Sequence, residues 1–180
     1  MKRSITINAL NPQSFDKAII KIATIEANLQ KQCIELCNEL ANYGIQMATL
    51  TANTDLADYV LFSKEVNVVG FGDVEGIMFG MNIGTVFGEG TGAGEINQIL
   101  MLEYGSGKYA DSFKIVDGVP VGRGTFPLQH HAFDPNGWWY KTWDGQYHHS
   151  YGEPAYHPMQ AAYDLMQRQV NSSIRKIFTL

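Results

Sequence analysis

The stretch that decides the fold is residues 12–48, PQSFDKAIIKIATIEANLQKQCIELCNELANYGIQMA. It begins after Asn11 with Pro12, and this pair is typical of a helix start because Asn caps free N–H groups and Pro fits the first helical position. Apolar residues then recur every three or four positions, which predicts one helix over residues 12–48, roughly 50 Å long at its usual rise. A helix of this length on a small domain is expected to contact something outside its own sheet. The recurring apolar residues are Phe15, Ile19, Ile22, Leu29, Cys33, Leu36, Leu40 and Ile45.

A second helix is predicted at the other end of the chain, over residues 158–178. Pro158 fits its first turn, and apolar residues again recur at helical spacing. Between the helices, β-branched and aromatic runs predict strands at 59–62, 66–71 and 76–87, and residues 96–104, INQILMLEY, give the clearest strand prediction. Residues 88–94 are a glycine-rich turn, and residues 113–121 form a short strand or arm around the turn signal Asp117-Gly118.

This order of elements predicts an α+β fold, with a long N-terminal helix and a C-terminal helix packed on a mainly antiparallel β-sheet. We expect a single domain over residues 1–180. Its parts are the helix at 12–48, a β-sheet region at 59–125, a long aromatic loop at 126–157 and the helix at 158–178.

The charge of the chain bears on its partners. The formal net charge of the 180 residues is −5, and no stretch clusters four or more Lys or Arg residues. Specific binding to DNA phosphates is therefore not expected, whereas an acidic surface would let DNA slide past without sticking. Neither a signal peptide nor an apolar run of membrane-spanning length is found, so we expect synthesis in a cytoplasm and no membrane partner.

The two cysteines, Cys33 and Cys37, are four residues apart and so share one face of the predicted helix. Two cysteines do not make a disulfide framework, and this spacing favours small apolar core residues in a reducing compartment. A mid-helix, core-facing position is also a poor place for a reactive thiolate.

Motifs for enzymatic chemistry are weak. The segment Gly105-Ser106-Gly107-Lys108 lacks the Ser or Thr that follows the lysine of a P-loop, and the histidines lack the spacing of known metal sites. We therefore predict no catalytic residue, no cofactor and no metal. The histidines in question are His130, His131, His148, His149 and His157.

Aromatic residues crowd into residues 138–156, and three interpretations stay open. The segment is a satellite core under a long loop, a subunit interface, or a platform for sugar rings. A hydrolase is a further alternative, because Asp134, Asp144 and Glu153 lie in or beside this segment. The aromatic residues are Trp138, Trp139, Tyr140, Trp143, Tyr147, Tyr151 and Tyr156.

Two stretches resemble one family. Residues 99–110, ILMLEYGSGKYA, are similar to the "[VL]E[FY]G[TS]" signature of tailed-bacteriophage head–tail joining or tail-completion proteins, with Glu103, Tyr104, Gly105 and Ser106 in the pattern. Residues 152–162, GEPAYHPMQAA, resemble the "G-x-P-A-x-P-[FM]-x-x-A" element that leads into the last helix of that family. The order of elements along the chain is similar as well.

The resemblance implies a non-enzymatic structural protein of a long-tailed phage virion, made in the host cytoplasm and placed in the neck. There it would form a ring, usually six-fold, that joins tail to capsid by repeated heterologous contacts and lets genomic DNA pass without specific binding. Its partners would be other copies of itself, the neighbouring neck or adaptor proteins, and the tail-tube or tail-terminator proteins. Acidic residues on glycine-rich tips that could face the lumen are Asp73, Glu75, Glu89 and Glu95.

The residues expected at motif or interface positions come from both stretches and from the aromatic segment. They are Glu103, Tyr104, Gly105, Trp138, Trp139, Tyr151, Gly152, Pro154 and Pro158. The main alternative to a neck protein is a carbohydrate- or receptor-binding virion module that uses the Trp- and Tyr-rich loop.

Overall fold

The N-terminal helix begins and continues as its sequence predicts. In the computed structural model, α1 covers Pro12–Thr51, one turn beyond the predicted end. The Asn11 Oδ1 accepts a hydrogen bond from the Gln13 N–H at 3.1 Å, which is the expected N-cap. The structure describes residues 5, 11–52, 57–69, 73–83, 98–109, 114–116, 119–121, 135–141 and 145–178.

Within the described ranges, six strands and two further α-helices follow α1. They are β1 (Val60–Val69), β2 (Asp73–Asn82), α2 (Gln98–Tyr104), β3 (Lys114–Val116), β4 (Val119–Val121), β5 (Trp138–Lys141), β6 (Tyr147–Ser150) and α3 (Pro158–Phe178). The strands pair in sequence order as three two-stranded sheets, β1-β2, β3-β4 and β5-β6. The α+β class, with a long N-terminal helix, a C-terminal helix and small antiparallel sheets, is confirmed.

The strand prediction for residues 96–104 is wrong, because residues 98–104 form α2. The buried side chains are Gln98, Met101, Leu102 and Glu103, and their spacing of three and four residues is that of one helical face. A short apolar run is compatible with either a strand or a buried helix, and here Leu, Met, Gln and Glu, all strong helix formers, outweigh the single β-branched Ile99.

Other boundaries also differ from the sequence predictions. The separate strands expected at 59–62 and 66–71 are one strand, β1, in the described residues, and the short strand or arm expected at 113–121 contains the paired strands β3 and β4, with Ile115 opposite Pro120. The aromatic loop contains the β5-β6 hairpin, so the prediction of a loop is wrong at residues 138–141 and 147–150. The glycine-rich turn at 88–94 lies outside the described residues.

Contacts between residues divide the chain into two compact units. The first contains Met1–Ala41, Lys64–Ile77 and Gln169–Leu180, and the second contains Asn42–Ser63 and Met78–Arg168. The boundaries fall inside α1, β1, β2 and α3.

In the first unit, α1 is tied to the end of α3 and to the β1-β2 hairpin. The Gln32 Nε2 donates to the Ile177 carbonyl at 2.9 Å, and Glu39 accepts from the Ser173 hydroxyl at 2.9 Å. On the hairpin side, the Lys64 Nζ donates to the Asn38 carbonyl at 3.2 Å. All of these contacts involve α1 residues from position 32 onward.

In the second unit, the buried core joins α1, β1, α2 and α3. Its buried members are Ala48, Ala52, Val60, Phe62, Leu102 and Ala162, with Ile45, Met78, Ile99, Tyr156 and Met159 packed around them. Gly44 lies inside α1 and does not interrupt the helix. A Cβ at this position would come within 2.6 Å of the Met78 sulfur. Leu102 has no exposed surface, so α2 lies at the centre of this unit.

Candidate assembly site

The two family-like stretches meet in the second unit and form one structure, which we call the motif junction: residues 98–109 together with residues 151–160. The first stretch is α2 and the turn after it. The chain leaves α2 through Gly105, whose N–H donates to the Met101 carbonyl at 2.8 Å and whose φ is 71°. A left-handed glycine in this position is a common helix C-terminus.

Backbone hydrogen bonds hold the two stretches of the motif junction together. The N–H groups of Ser106 and Lys108 donate to the carbonyls of Glu153 at 2.8 Å and Tyr151 at 3.0 Å. In the other direction, the Tyr156 N–H donates to the Leu102 carbonyl at 2.8 Å. The buried Ser106 hydroxyl also accepts from the Glu153 N–H at 2.9 Å. The two stretches therefore satisfy each other's backbone polar groups, as buried chain segments must.

Two glycines allow the stretches to approach this closely. Gly152 has a φ of 103°, and a Cβ there would overlap the Ser106 carbonyl oxygen. Gly107 has a φ of 58°, and a Cβ there would overlap the Tyr151 carbonyl oxygen. Both positions need glycine for two independent reasons, the left-handed backbone and the lack of space.

Glu103 links the motif junction to α3. Its Oε2 accepts from the Met159 N–H at 2.8 Å and its Oε1 from the Gln160 N–H at 3.2 Å. Both N–H groups belong to the first turn of α3, where helical backbone donors lack partners within the helix. The buried Glu103 side chain thus caps a helix that begins 55 residues later in the chain, and its carboxylate lies at the positive end of the helix dipole.

The remaining motif residues lie at different places in the motif junction and differ in their exposure. Pro158 is buried and is the first residue of α3, as predicted, whereas Pro154 is exposed. Tyr104 is half-buried at the end of α2. His157, immediately before α3, has a φ of 54°, which is a strained conformation for a residue with a Cβ.

The β5-β6 hairpin carries a row of aromatic side chains toward the motif junction. Trp139 is opposite His149 in the hairpin, with ring centroids 4.8 Å apart, and the His149 ring is 4.5 Å from the Tyr151 ring, both pairs edge to face. The Lys108 Nζ then lies 4.6 Å from the Tyr151 ring and 4.7 Å from the Tyr109 ring. We call these five residues the aromatic row.

The aromatic row is a surface feature. Trp139 is 66% exposed, Tyr151 54% and Tyr109 46%, and the neighbouring Tyr147 is 66% exposed. Trp138, next to Trp139 on β5, is only half-buried and pairs with Ser150 across the hairpin. The interpretation of this segment as a satellite core therefore does not describe Trp139, whose side chain lies mostly in solvent.

Reactive groups are few in the described part of the chain. Burial raises the pKa of the Cys37 thiol, and the nearby Cys33 raises it further, so Cys37 is a protonated thiol at neutral pH. Within the ranges that the structure describes, His, Cys, Asp and Glu side chains form no group of three that could hold a metal ion. His130, His131, Asp134 and Asp144 lie outside those ranges.

Sequence reasoning found both stretches of the motif junction but missed how they connect. The Glu103 cap on α3, the hydrogen bond at the Ser106 hydroxyl and the contact of Lys108 with the Tyr151 ring all join residues far apart in sequence, so no local spacing predicts them. The positions of Gly105, Gly107 and Gly152 carried the available signal, since glycine at a turn indicates a left-handed backbone or a close approach.

None of the helices in the described residues is both long enough and apolar enough to cross a membrane. Neither a protein-family model, nor a curated protein, nor a solved structure matches the chain.

Proposed function

We propose that the chain is a structural virion protein of a long-tailed bacteriophage that forms a ring at the head–tail junction. The observation that carries this proposal is the motif junction. The two stretches that resemble the head–tail joining family are 47 residues apart at Ser106 and Glu153, yet they interlock through their backbones and through the Glu103 cap. A resemblance of two short stretches by chance would not require them to contact each other.

In this proposal the protein acts by geometry and not by catalysis. The motif junction fixes the start of α3 and the exit of α2, which makes a rigid base for surfaces that contact other subunits. No cofactor, metal or membrane takes part. The protein is made in the host cytoplasm and ends in the neck, beside adaptor proteins on one side and tail-tube or tail-terminator proteins on the other.

Exposed apolar surface supports a role in assembly. Of the large apolar residues in the first half of α1, Phe15, Ile19, Ile20, Ile22 and Leu29 are each 45–66% exposed. Exposed apolar clusters on this scale mark contact sites more often than scattered single residues do. The acidic residues Asp73 and Glu75 are exposed on β2, as a channel for DNA would require, while Glu89 and Glu95 lie outside the described residues.

Removing the gene from the phage genome tests the proposal. We expect such a phage to produce full heads and complete tails that do not join, and the wild-type gene supplied in trans to restore joined particles. A Gly152→Ala variant, which breaks the motif junction, should fail to restore joining, whereas Gly145→Ala should restore it. Normal joining without the gene would contradict the proposal.

A second function is favoured by one observation, the exposure of Trp139 and Tyr151. An aromatic row in solvent is also what a carbohydrate- or receptor-binding virion module would present, with ring faces against sugar rings. A titration with a panel of glycans, followed by tryptophan fluorescence, distinguishes the two functions. Saturable quenching that is lost in Trp139→Ala and kept in Tyr163→Ala, an exposed aromatic on α3, would favour the binding module.

A further inference from the structure

The aromatic row contains a cation that has no acidic partner. The Lys108 ammonium belongs to an exposed side chain and lies 4.6 Å and 4.7 Å from the centroids of two exposed tyrosine rings. Within the described ranges, no carboxylate forms an ion pair with it. The two glutamates of the motif junction accept hydrogen bonds elsewhere, Glu103 from the first turn of α3 and Glu153 from the Tyr156 hydroxyl. The charge of Lys108 is therefore available to a ligand.

The motif junction fixes where this cation lies. The Lys108 N–H donates to the Tyr151 carbonyl at 3.0 Å, and Gly107, immediately before it, allows the two backbones to come this close. The contacts with the Tyr109 and Tyr151 rings then hold the ammonium by cation–π attraction. Because the cation is already ordered beside the aromatic row, a ligand that uses it loses less conformational entropy on binding.

The rest of the aromatic row presents ring surface to solvent. Trp139 is 66% exposed and Tyr151 54%, and the His149 ring lies between them. Both contacts of His149 are edge to face, an arrangement that is favourable between aromatic rings and keeps them in place. The row therefore combines ordered apolar surface with one fixed positive charge.

The backbone beside Lys108 is already hydrogen-bonded. The Lys108 N–H and the Tyr151 carbonyl are bonded to each other, and the Gly152 N–H donates to the Ser150 hydroxyl oxygen at 3.1 Å. A peptide that binds as an added strand requires backbone donors and acceptors that lack partners. This end of the aromatic row presents side chains instead, which favours a ligand that is recognised through its rings and its charge.

The charge of the chain disfavours a nucleic-acid strand as that ligand. A strand carries one negative charge on every phosphate, and proteins bind it with several lysines or arginines. Lys108 is the one lysine or arginine of the aromatic row, and the whole chain has a net charge of −5. A single carboxylate matches this single cation better.

From these features we infer that the aromatic row binds an acidic sugar, a uronic or sialic acid within an oligosaccharide. Trp139 and Tyr151 would contact the apolar faces of the sugar rings, and the Lys108 ammonium would pair with the carboxylate. The inference rests on the second function proposed above, sugar binding by the exposed aromatic residues. It adds the class of sugar and the residue that selects it.

The preference for an acidic sugar should be modest and sensitive to salt. Lys108 is exposed, so water and ions screen its attraction to a carboxylate. We expect the acidic ligand to bind about fivefold more tightly than a neutral one at about 0.01 M salt. The preference should disappear at about 1 M salt, where the screening length is only about 3 Å.

Titration of the purified full chain with a matched pair of ligands tests the inference. One ligand is a tetrasaccharide in which every second sugar is glucuronate, and the other is the same tetrasaccharide with its carboxylates reduced to alcohols. Calorimetry and tryptophan fluorescence measure both affinities. Wild type should bind both ligands and prefer the acidic one.

Variants separate the two parts of the site. Lys108→Gln should remove the preference and keep the affinity for the reduced ligand, whereas Lys108→Arg should keep the preference. Lys17→Gln, at an exposed lysine of α1, is the matched control and should behave as wild type. Trp139→Ala should weaken both ligands about tenfold, and Tyr163→Ala neither. Circular dichroism of each variant shows that it is folded.

The possible failures are distinguishable. Equal affinity of wild type for the two ligands would overturn the acidic preference and keep the sugar-binding function, and a preference that survives Lys108→Gln would overturn the role of Lys108. Equally tight binding of a pyrimidine oligonucleotide would indicate general anion binding and contradict the inference. Binding of neither tetrasaccharide would overturn it as well, without touching the neck ring, which the joining assay tests separately.

Discussion

The motif junction and the first half of α1 differ in where their large apolar side chains lie: Leu102 of the junction is buried inside the chain, whereas those of α1 are largely exposed to solvent. In the motif junction, Leu102 is fully buried and Glu103 and Ser106 have partners for their polar atoms within the chain. On α1, Phe15, Ile19 and Ile22 are about half exposed or more. The comparison indicates that the first region determines the stability of the fold, while the second is available for contacts with other chains.

The largest effect is expected at Gly152. Gly152→Ala forces a Cβ into the Ser106 carbonyl at a left-handed φ, and we expect a loss of about 3 kcal/mol or more in the free energy of unfolding. Gly145→Ala has a similar φ of 82° at an exposed position and should cost only about 1 kcal/mol. Urea denaturation measures both, and equal losses would mean that the motif junction is not closely packed.

The cap on α3 comes next. Glu103→Ala removes the acceptor for two N–H groups in the first turn of α3, so we expect a loss of about 2 kcal/mol in the free energy of unfolding. Glu103→Gln keeps one acceptor oxygen and should cost about 1 kcal/mol. Glu65→Gln, on the exposed part of β1, is the control and should change stability very little. A neutral Glu103→Ala would show that the cap does not stabilise α3.

A smaller effect is expected at Glu39, on the second half of α1. The Glu39 carboxylate accepts from the buried Ser173 hydroxyl and lies 2.7 Å from the Lys176 Nζ. Glu39→Ala leaves that hydroxyl without this acceptor and should cost about 1 kcal/mol. Lys176 is 68% exposed, so Lys176→Ala should cost less than about 0.5 kcal/mol. Thermal unfolding of both variants measures these two losses and shows whether the second half of α1 stabilises the fold through its internal contacts.

Trp139 should matter more for assembly than for folding. Because its side chain is 66% exposed, Trp139→Ala should change the free energy of unfolding by no more than about 0.5 kcal/mol. We expect the same variant to reduce head–tail joining in the trans-complementation assay. A loss of monomer stability that matches the loss of joining would place Trp139 in the core and contradict this prediction.

The smallest effect is expected from chelators. The sequence predicts no metal site, so EDTA should leave the melting temperature unchanged. A large decrease on chelation, reversed by added zinc, would indicate a histidine site that involves His130, His131 or their neighbours.

The fold was largely predictable from sequence in the segments where apolar residues recur at a regular spacing over many residues. Both long helices follow from apolar spacing and from capping residues, and the sequence limits of α3 agree with the structure at Pro158 and Phe178. The short helix α2 was predicted as a strand, because a short apolar run is compatible with either a strand or a buried helix; the local signal for a helix was its Leu, Met, Gln and Glu residues. The β5-β6 hairpin was not predicted, because the aromatic-rich segment was interpreted as one long loop although it contains two strands of four residues each.

The candidate site was predictable in its parts but not in its connections. Glu103 could be singled out from its motif, and Gly105, Gly152 and Pro158 also because glycine permits a left-handed backbone and proline fixes φ. That Glu103 caps α3, and that Tyr151 connects Lys108 to His149, depends on which segments pack together. The exposure of Trp139 is equally a property of the folded chain.

The most direct test of the proposed function is image averaging of purified virions of the phage that encodes this chain, with the chain labelled at its C-terminus. We predict a closed ring of label at the head–tail junction, with a copy number that matches its symmetry. Intact virions that contain no copies of the chain would contradict the proposed function.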